Sequence, residues 1–187
     1  MYIKRGLTYE SHYSSLDKIK IPKGTLDAFY WYEGEEGLRL LETEKRVMNR
    51  FLPQFTLKKL PDGKMVWFGS IVSNMGSEWE LAAVYQNNHP DNSTYGGSIR
   101  VYPIEPDLNH FEKKLGILPH VLGEANDRYL CTSQANDFKS LKNQNGKLLE
   151  ATSAASALAW AGKWILMFES WIYGEISLDD FASHGKY

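Results

Sequence analysis

Between Phe55 and Tyr102 the chain reads as four strand-like runs joined by short connections, and that spacing limits its fold more than any other feature. Phe55 to Leu60 alternates and stops at Pro61-Asp62-Gly63, a tight hairpin signal. Met65 to Val72 is rich in aromatic and β-branched residues, and Asn74-Met75-Gly76 turns it. Glu78 to Gln86 has an apolar centre, Leu81 to Tyr85, and a polar stretch from Asn87 to Gly97 leads into Ser98 to Tyr102. Strands this close in sequence are expected to pair with their neighbours as an antiparallel meander.

Helices flank the meander. From Glu35 to Leu52 the residues Leu41, Lys45, Met48 and Leu52 fall on one helical face, with Leu38 and Phe51 beside it. Glu35 and Glu36 suit the first turn, Glu42 is placed to pair with Arg46, and Pro53 marks the end. Pro103 and Pro106 are expected to break the sheet, leaving an irregular region up to Cys131 and a polar loop from Ser133 to Lys147. A second helix is expected from about Glu150 to Tyr173. Leu158, Ile165, Phe168 and Ile172 lie on one of its faces, and Trp160, Trp164, Met167 and Trp171 on another. Apolar on most sides, it should be buried against the sheet and a further element, with Gly174 as its cap. Ser177 to Asp180 begins one short last helix that stops near Gly185. The fold class is α+β: an N-terminal helix, a four-stranded antiparallel meander, a loop with the candidate site, and C-terminal helices. Residues 1–34 read as an N-terminal extension whose aromatic run Phe29 to Tyr32 should dock on something, and 35–187 as the core.

With 187 residues and 43% apolar content the chain can bury one substantial core. A formal charge of -2 gives no nucleic-acid footprint. The first residues lack the apolar centre of a secretory signal, and the apolar stretch from Ala151 is interrupted by Lys163, so the expectation is a cytoplasmic protein off the membrane. Asn92-Ser93-Thr94 is then a chance sequon. Cys131 is the only cysteine, which excludes an internal disulfide and a cysteine zinc cage. No histidine pair has helical metal-site spacing, so a metal is not expected. Gly-x-Ser-x-Gly, phosphate-loop and dinucleotide fingerprints are absent, and Gly96-Gly97 reads as a turn.

Cys131 follows the apolar pair Tyr129-Leu130 and precedes a polar run. Two readings stand: a small buried residue ending a strand, or a thiol nucleophile. An unperturbed thiol is only about 3% ionised at neutral pH, which thioester exchange tolerates. His120, eleven residues upstream, could fold back as general base or as an organiser of the loop. His89 and His110 read as solvated loop residues, while His12 has no context.

The order of these elements resembles the ubiquitin-conjugating enzyme fold over about Glu35 to Tyr173. In that family a His-Pro-Asn segment precedes the active cysteine by about ten residues, and the matching positions here are His120 and Leu130-Cys131. Val121 and Leu122 stand where Pro and Asn are expected, and Thr132 follows the cysteine. Leu158, Trp160, Trp164, Phe168, Glu169, Trp171 and the tail to His184 are similar to the divergent bacterial branch found in anti-phage operons, CBASS-like or devoted to ubiquitin-like conjugation. The resemblance implies that Cys131 takes an acyl group from an activating-enzyme-like protein and passes it to an amine of a target protein, with no metal or organic cofactor taking part. The transferred group would be the C-terminus of a cGAS-like nucleotidyltransferase or of a ubiquitin-like modifier. It also implies a carboxylate near the thiol, for which Asp127 and Asp137 are candidates, and an oxyanion donor, for which Asn126 is a candidate by proximity. Two other readings remain: a silent binding module on the same fold, and a cysteine hydrolase using Cys131 with His120 or His184.

Overall fold

The computed structural model describes residues 30–90, 96–125, 127–132, 141–142, 144 and 148–183. His12, the sequon, Asn126, Asp137 and His184 lie outside the described residues.

The first described helix, α1 (Gly34–Phe51), starts with Glu35 and Glu36 in its first turn and is followed by Pro53. Its buried face is Gly37, Leu41, Glu44 and Met48, which keeps Leu41 and Met48 of the expected face and buries Glu44 where Lys45 was expected. Leu38 and Phe51, expected beside that face, point to water instead, at 56% and 63% exposure. Glu42 pairs with Lys45 at 2.7 Å, not with Arg46, while Arg39 pairs with Glu35. Gly37 is required by a close approach, because a Cβ there would stand 2.3 Å from the carbonyl oxygen of Trp31.

Strands β1 (Thr56–Lys59), β2 (Met65–Val72), β3 (Glu78–Tyr85) and β4 (Ile99–Glu105) pair as the expected antiparallel meander. The sheet does not end there. Two-residue strands β5 (Val121–Leu122) and β6 (Tyr129–Leu130) extend it to six strands in the order β1-β2-β3-β4-β6-β5, with Val101 opposite Leu130. Pro103 does not break β4. It lies inside the strand opposite Leu81, where the register shifts, a position at which a missing N–H is tolerated. The expected irregular region also holds a helix, α2 (Leu108–Leu115), which starts at the Asp107 side chain and ends at left-handed Gly116. Within the polar loop and just after it, β7 (Leu141–Lys142) and β8 (Leu148–Glu150) form a separate ribbon.

The long apolar helix is α3 (Ala154–Ile172), capped by Ser153 at its start. At its end Gly174 has φ +76°, and the N–H groups of Gly174 and Glu175 return to the carbonyls of Trp171 and Ser170. That double bond closes the helix as its sequence foretold. Leu158, Trp164, Ile165 and Phe168 are buried, but Trp160, Leu166 and Ile172 are about two-fifths exposed, so the helix is not covered on most sides. The short α4 (Leu178–Ala182) carries the expected capping box, Ser177 with Asp180, and turns Phe181 into the core.

Below the sheet, Glu44 ties four elements together. The Trp67 indole N–H donates to the Tyr85 hydroxyl (3.0 Å), which donates to the Glu44 carboxylate (2.6 Å). The same carboxylate oxygen accepts the Ala154 N–H at the start of α3 (2.9 Å). Burial pushes the Glu44 carboxyl above its usual range, against the opposite pull of those two hydrogen bonds.

Candidate active site

Cys131 sits at the open end of the β5–β6 hairpin. Its turn is fixed by Gly123, at φ +85°, where a Cβ would meet the Asp127 carbonyl oxygen at 2.0 Å. Leu130 is fully buried between Val101 and Val121, so the residue after it is delivered to the end of an interior strand. The Cys131 N–H donates to the His120 carbonyl at 2.8 Å, and the Thr132 N–H to the Leu130 carbonyl at 3.0 Å. Cys131 itself is half-buried, and Thr132 is buried.

The Pro119-His120 segment is clamped from the helical side. The Trp164 indole donates to the Pro119 carbonyl (2.9 Å), and the His120 Nε2 lies 3.0 Å from the Phe181 carbonyl. A carbonyl only accepts, so Nε2 carries the proton. His120 also has φ +56°, a left-handed conformation uncommon outside glycine, which turns its carbonyl toward Cys131. Thus the chain brings His120 to Cys131 through its backbone, while its ring reaches α4. Around that ring, Trp164 stacks on Phe168 at 4.9 Å and Phe181 lies 5.9 Å from Trp164, so the clamp rests on the aromatic core.

The remaining expected residues fall elsewhere. Asp127 belongs to the turn at the far end of the hairpin, its N–H bonded to the Glu124 carbonyl (2.9 Å). Val121 and Leu122 are spent on pairing, so no amide side chain stands at those positions. His110 is exposed as expected, although it stands on α2 and not in a loop. His89 departs from expectation altogether: it is 4% exposed, packed edge-on against Trp31 and Tyr85 and bonded to the Ser98 hydroxyl at 2.8 Å. Burial lowers its pKa to about 3. Among the described residues no cluster suited to a metal ion occurs, and no helix is long and apolar enough to cross a membrane.

Sequence reading missed Trp164 and Phe181 as holders of the loop. Their apolar spacing marks them only as core, and no local signal ties either to Pro119 or His120.

A meander, then a lone cysteine after the apolar pair Tyr129-Leu130, then a long helix follow the order on which the resemblance rests, while the short hairpin that carries the cysteine was not expected. A family model described as "Type II CBASS E2 protein" matches residues 44–175. The chain belongs to this family. No curated protein and no solved structure matches it. The matched span runs from the middle of α1 past the end of α3, and so contains the sheet, the hairpin, Cys131 and the Trp164 clamp. As a type II CBASS E2 protein, an E2-like member of a bacterial anti-phage system, the chain carries its lone thiol inside the shared region.

Proposed function

We propose that Cys131 accepts a protein C-terminus as a thioester and passes it to an amine of a target. Its carbonyl donor is a thioester on an activating-enzyme-like protein. The Cys131 thiolate adds to that carbonyl carbon, a new C–S bond forms, and the donor's thiolate leaves. In the second step an amine nitrogen adds, the Cys131 thiolate leaves, and the amine's proton passes to solvent or to a carboxylate, with Asp137 as the candidate. The transferred chain is a cGAS-like nucleotidyltransferase in keeping with the family's setting, or a ubiquitin-like modifier. The single observation that supports this reading most is a half-buried cysteine at a strand end, its N–H held by the His120 carbonyl, inside the region shared with E2-like proteins.

His120 serves in this reading as a positioning residue, since its Nε2 proton is directed at Phe181. The N–H groups of Cys131 and Thr132 are both taken by carbonyls, so an oxyanion donor has to come from other groups, with Asn126 the candidate by proximity. The same observation favours a second reading, a silent binding module, because neither an amide nor a pre-aimed backbone donor stands at Val121, Leu122 or the cysteine itself. One experiment separates them. Incubation with the activating partner, ATP and the carried protein should give an adduct that a reducing thiol removes and Cys131→Ala abolishes. An adduct that survives Cys131→Ala would sink the transfer reading.

A further inference from the structure

The hairpin that carries Cys131 has little main chain to hold it. Strands β5 and β6 are two residues each, and among the described residues one bridge, Val101 opposite Leu130, joins β6 to β4. A hairpin this short is marginal by itself, and a single bridge fixes a point without fixing a direction. Arg128 stands directly before β6 and Cys131 directly after it, so the two flank the bridged Leu130. The extended chain from one to the other is about 10 Å long. A second fixed point on the Arg128 side therefore decides where the Cys131 end of β6 comes to rest.

That point is an ion pair. The Arg128 guanidinium lies 2.6 Å from the Glu112 carboxylate of α2, and the two side chains keep 19% and 34% of their surface exposed. The Arg128 Nε is buried without a hydrogen-bond partner among the described residues, so the pair with Glu112 is what offsets the burial of this charge. Glu112 is itself held in place. Its neighbour Phe111 lies 5.0 Å from Phe168 and 6.5 Å from Trp79, ring to ring, and α2 is closed by Asp107 and Gly116. Phe168 also meets Trp164 at 4.9 Å and Phe181 at 6.4 Å, the two residues whose polar groups reach Pro119 and His120. Both ends of the hairpin are thus referred to one aromatic frame. The open end is tied through Trp164 and Phe181, and the turn end through Phe111, Glu112 and Arg128.

We propose that Arg128 and Glu112 are a positioning pair for Cys131, setting the direction of β6 so that the thiol meets an incoming carbonyl in one place. Neither side chain takes part in the chemistry. With the pair broken, β6 is free to pivot at the bridge between Val101 and Leu130, and the end that bears the thiol moves with it. A small reagent gains from that freedom, since it needs only access. A thioester carried on a protein loses by it, because a displacement of about 1 Å at the reacting atoms costs up to about a hundredfold in rate. The two reagents should therefore respond in opposite directions, which a loss of stability alone does not produce. The positioning role rests on the transfer reading of Cys131, whereas the pivot does not.

A double-mutant cycle in the full chain tests it, with Arg128→Met and Glu112→Gln, which keep the side-chain stems, and the two combined. Iodoacetamide should alkylate Cys131 several-fold faster in each native variant than in the wild type at the same pH. The combined variant should match the single ones, because either substitution already breaks the pair. With the activating partner, ATP and the carried protein, formation of the thiol-reversible adduct should slow about tenfold in all three and keep its pH profile. Alkylation at the wild-type rate, or effects that multiply in the combined variant, would overturn the proposal, and so would an undiminished adduct rate in Arg128→Met. If Arg128→Met does not fold, Glu112→Gln is compared with Arg128→Lys, which keeps the charge and should stay close to the wild type; equal behaviour of the two would overturn the pair. A wild type that gives no adduct sinks the transfer reading and the positioning role with it, while the alkylation cycle still decides whether the pair holds β6.

Discussion

Two histidines lie in two corners of this molecule, and each is tied to its corner in a different way. His89 is enclosed: its ring fills a space between Trp31, Tyr85 and Ser98, and burial keeps it neutral. His120 is half-buried, and its ring and carbonyl are divided between two tasks, the ring on Phe181 and the carbonyl on the Cys131 N–H. The first corner joins α1, the sheet and α3 through Glu44, and so carries stability. The second holds Cys131 at a strand end by a main-chain bond. A substitution in the closed corner is therefore expected to change folding, and one in the open corner to change presentation of the thiol.

The largest effect should come from Glu44. Glu44→Ala strands the Tyr85 hydroxyl and the Ala154 N–H in the core, and should cost about 3 kcal/mol in denaturant unfolding. Glu44→Gln should cost about 1 kcal/mol or less, since it removes the charge and keeps an acceptor. Because the folded carboxyl pKa is raised, the native state binds more protons than the unfolded chain above the ordinary value. Its contribution is therefore full at low pH and is lost as pH rises through the raised pKa. Glu44→Gln should flatten that decline, and an unchanged slope would break the contrast at its closed end.

His89 acts in the opposite sense. With a folded pKa of about 3 against an ordinary 6.5, its stabilising share is full above the ordinary value and falls as pH drops toward 3. Between pH 7 and 5 the wild type should lose about 2 kcal/mol by this route, and His89→Phe should lack that loss when the two unfolding curves are compared. Equal losses would show that the ring is solvated.

His120→Ala should cost only about 1 kcal/mol, the worth of one hydrogen bond. Adduct formation should slow less than about tenfold and keep its pH profile, whereas removal of a general base costs about a hundredfold or more. Trp164→Phe, which keeps the ring packing and removes the bond to Pro119, should cost about 1 kcal/mol. It should slow the same adduct without altering its pH profile, read in parallel with the unfolding curve.

How far the sequence foretold these corners follows from the range of the forces involved. The meander was legible because alternation and turn residues are local, and the caps Gly174 and Ser177 were legible for the same reason. The strands β5 and β6 are too short to show a period, and α2 was missed although Asp107 and Gly116 mark both its ends. On α1 the choice between Glu44 and Lys45 could not be made from hydropathy, since both are charged; the Tyr85 hydroxyl and the Ala154 N–H decide it. His89 looked solvated because its neighbours in sequence are polar, yet its burial comes from Trp31, far back in the chain. At the candidate site the order of elements pointed to Cys131, while the partner of the His120 ring is a carbonyl 61 residues on. No periodicity encodes such a contact.

The central claim is that Cys131 is presented and not enclosed, and the rate of its alkylation in the native chain tests that most directly. Iodoacetamide should modify Cys131 in the folded protein within about tenfold of the rate in denaturant at the same pH, where ordinary thiols have a pKa of about 8.5. Modification only at the pace of global unfolding, slowed by the full unfolding equilibrium, would contradict the account and leave Cys131 as a buried strand end.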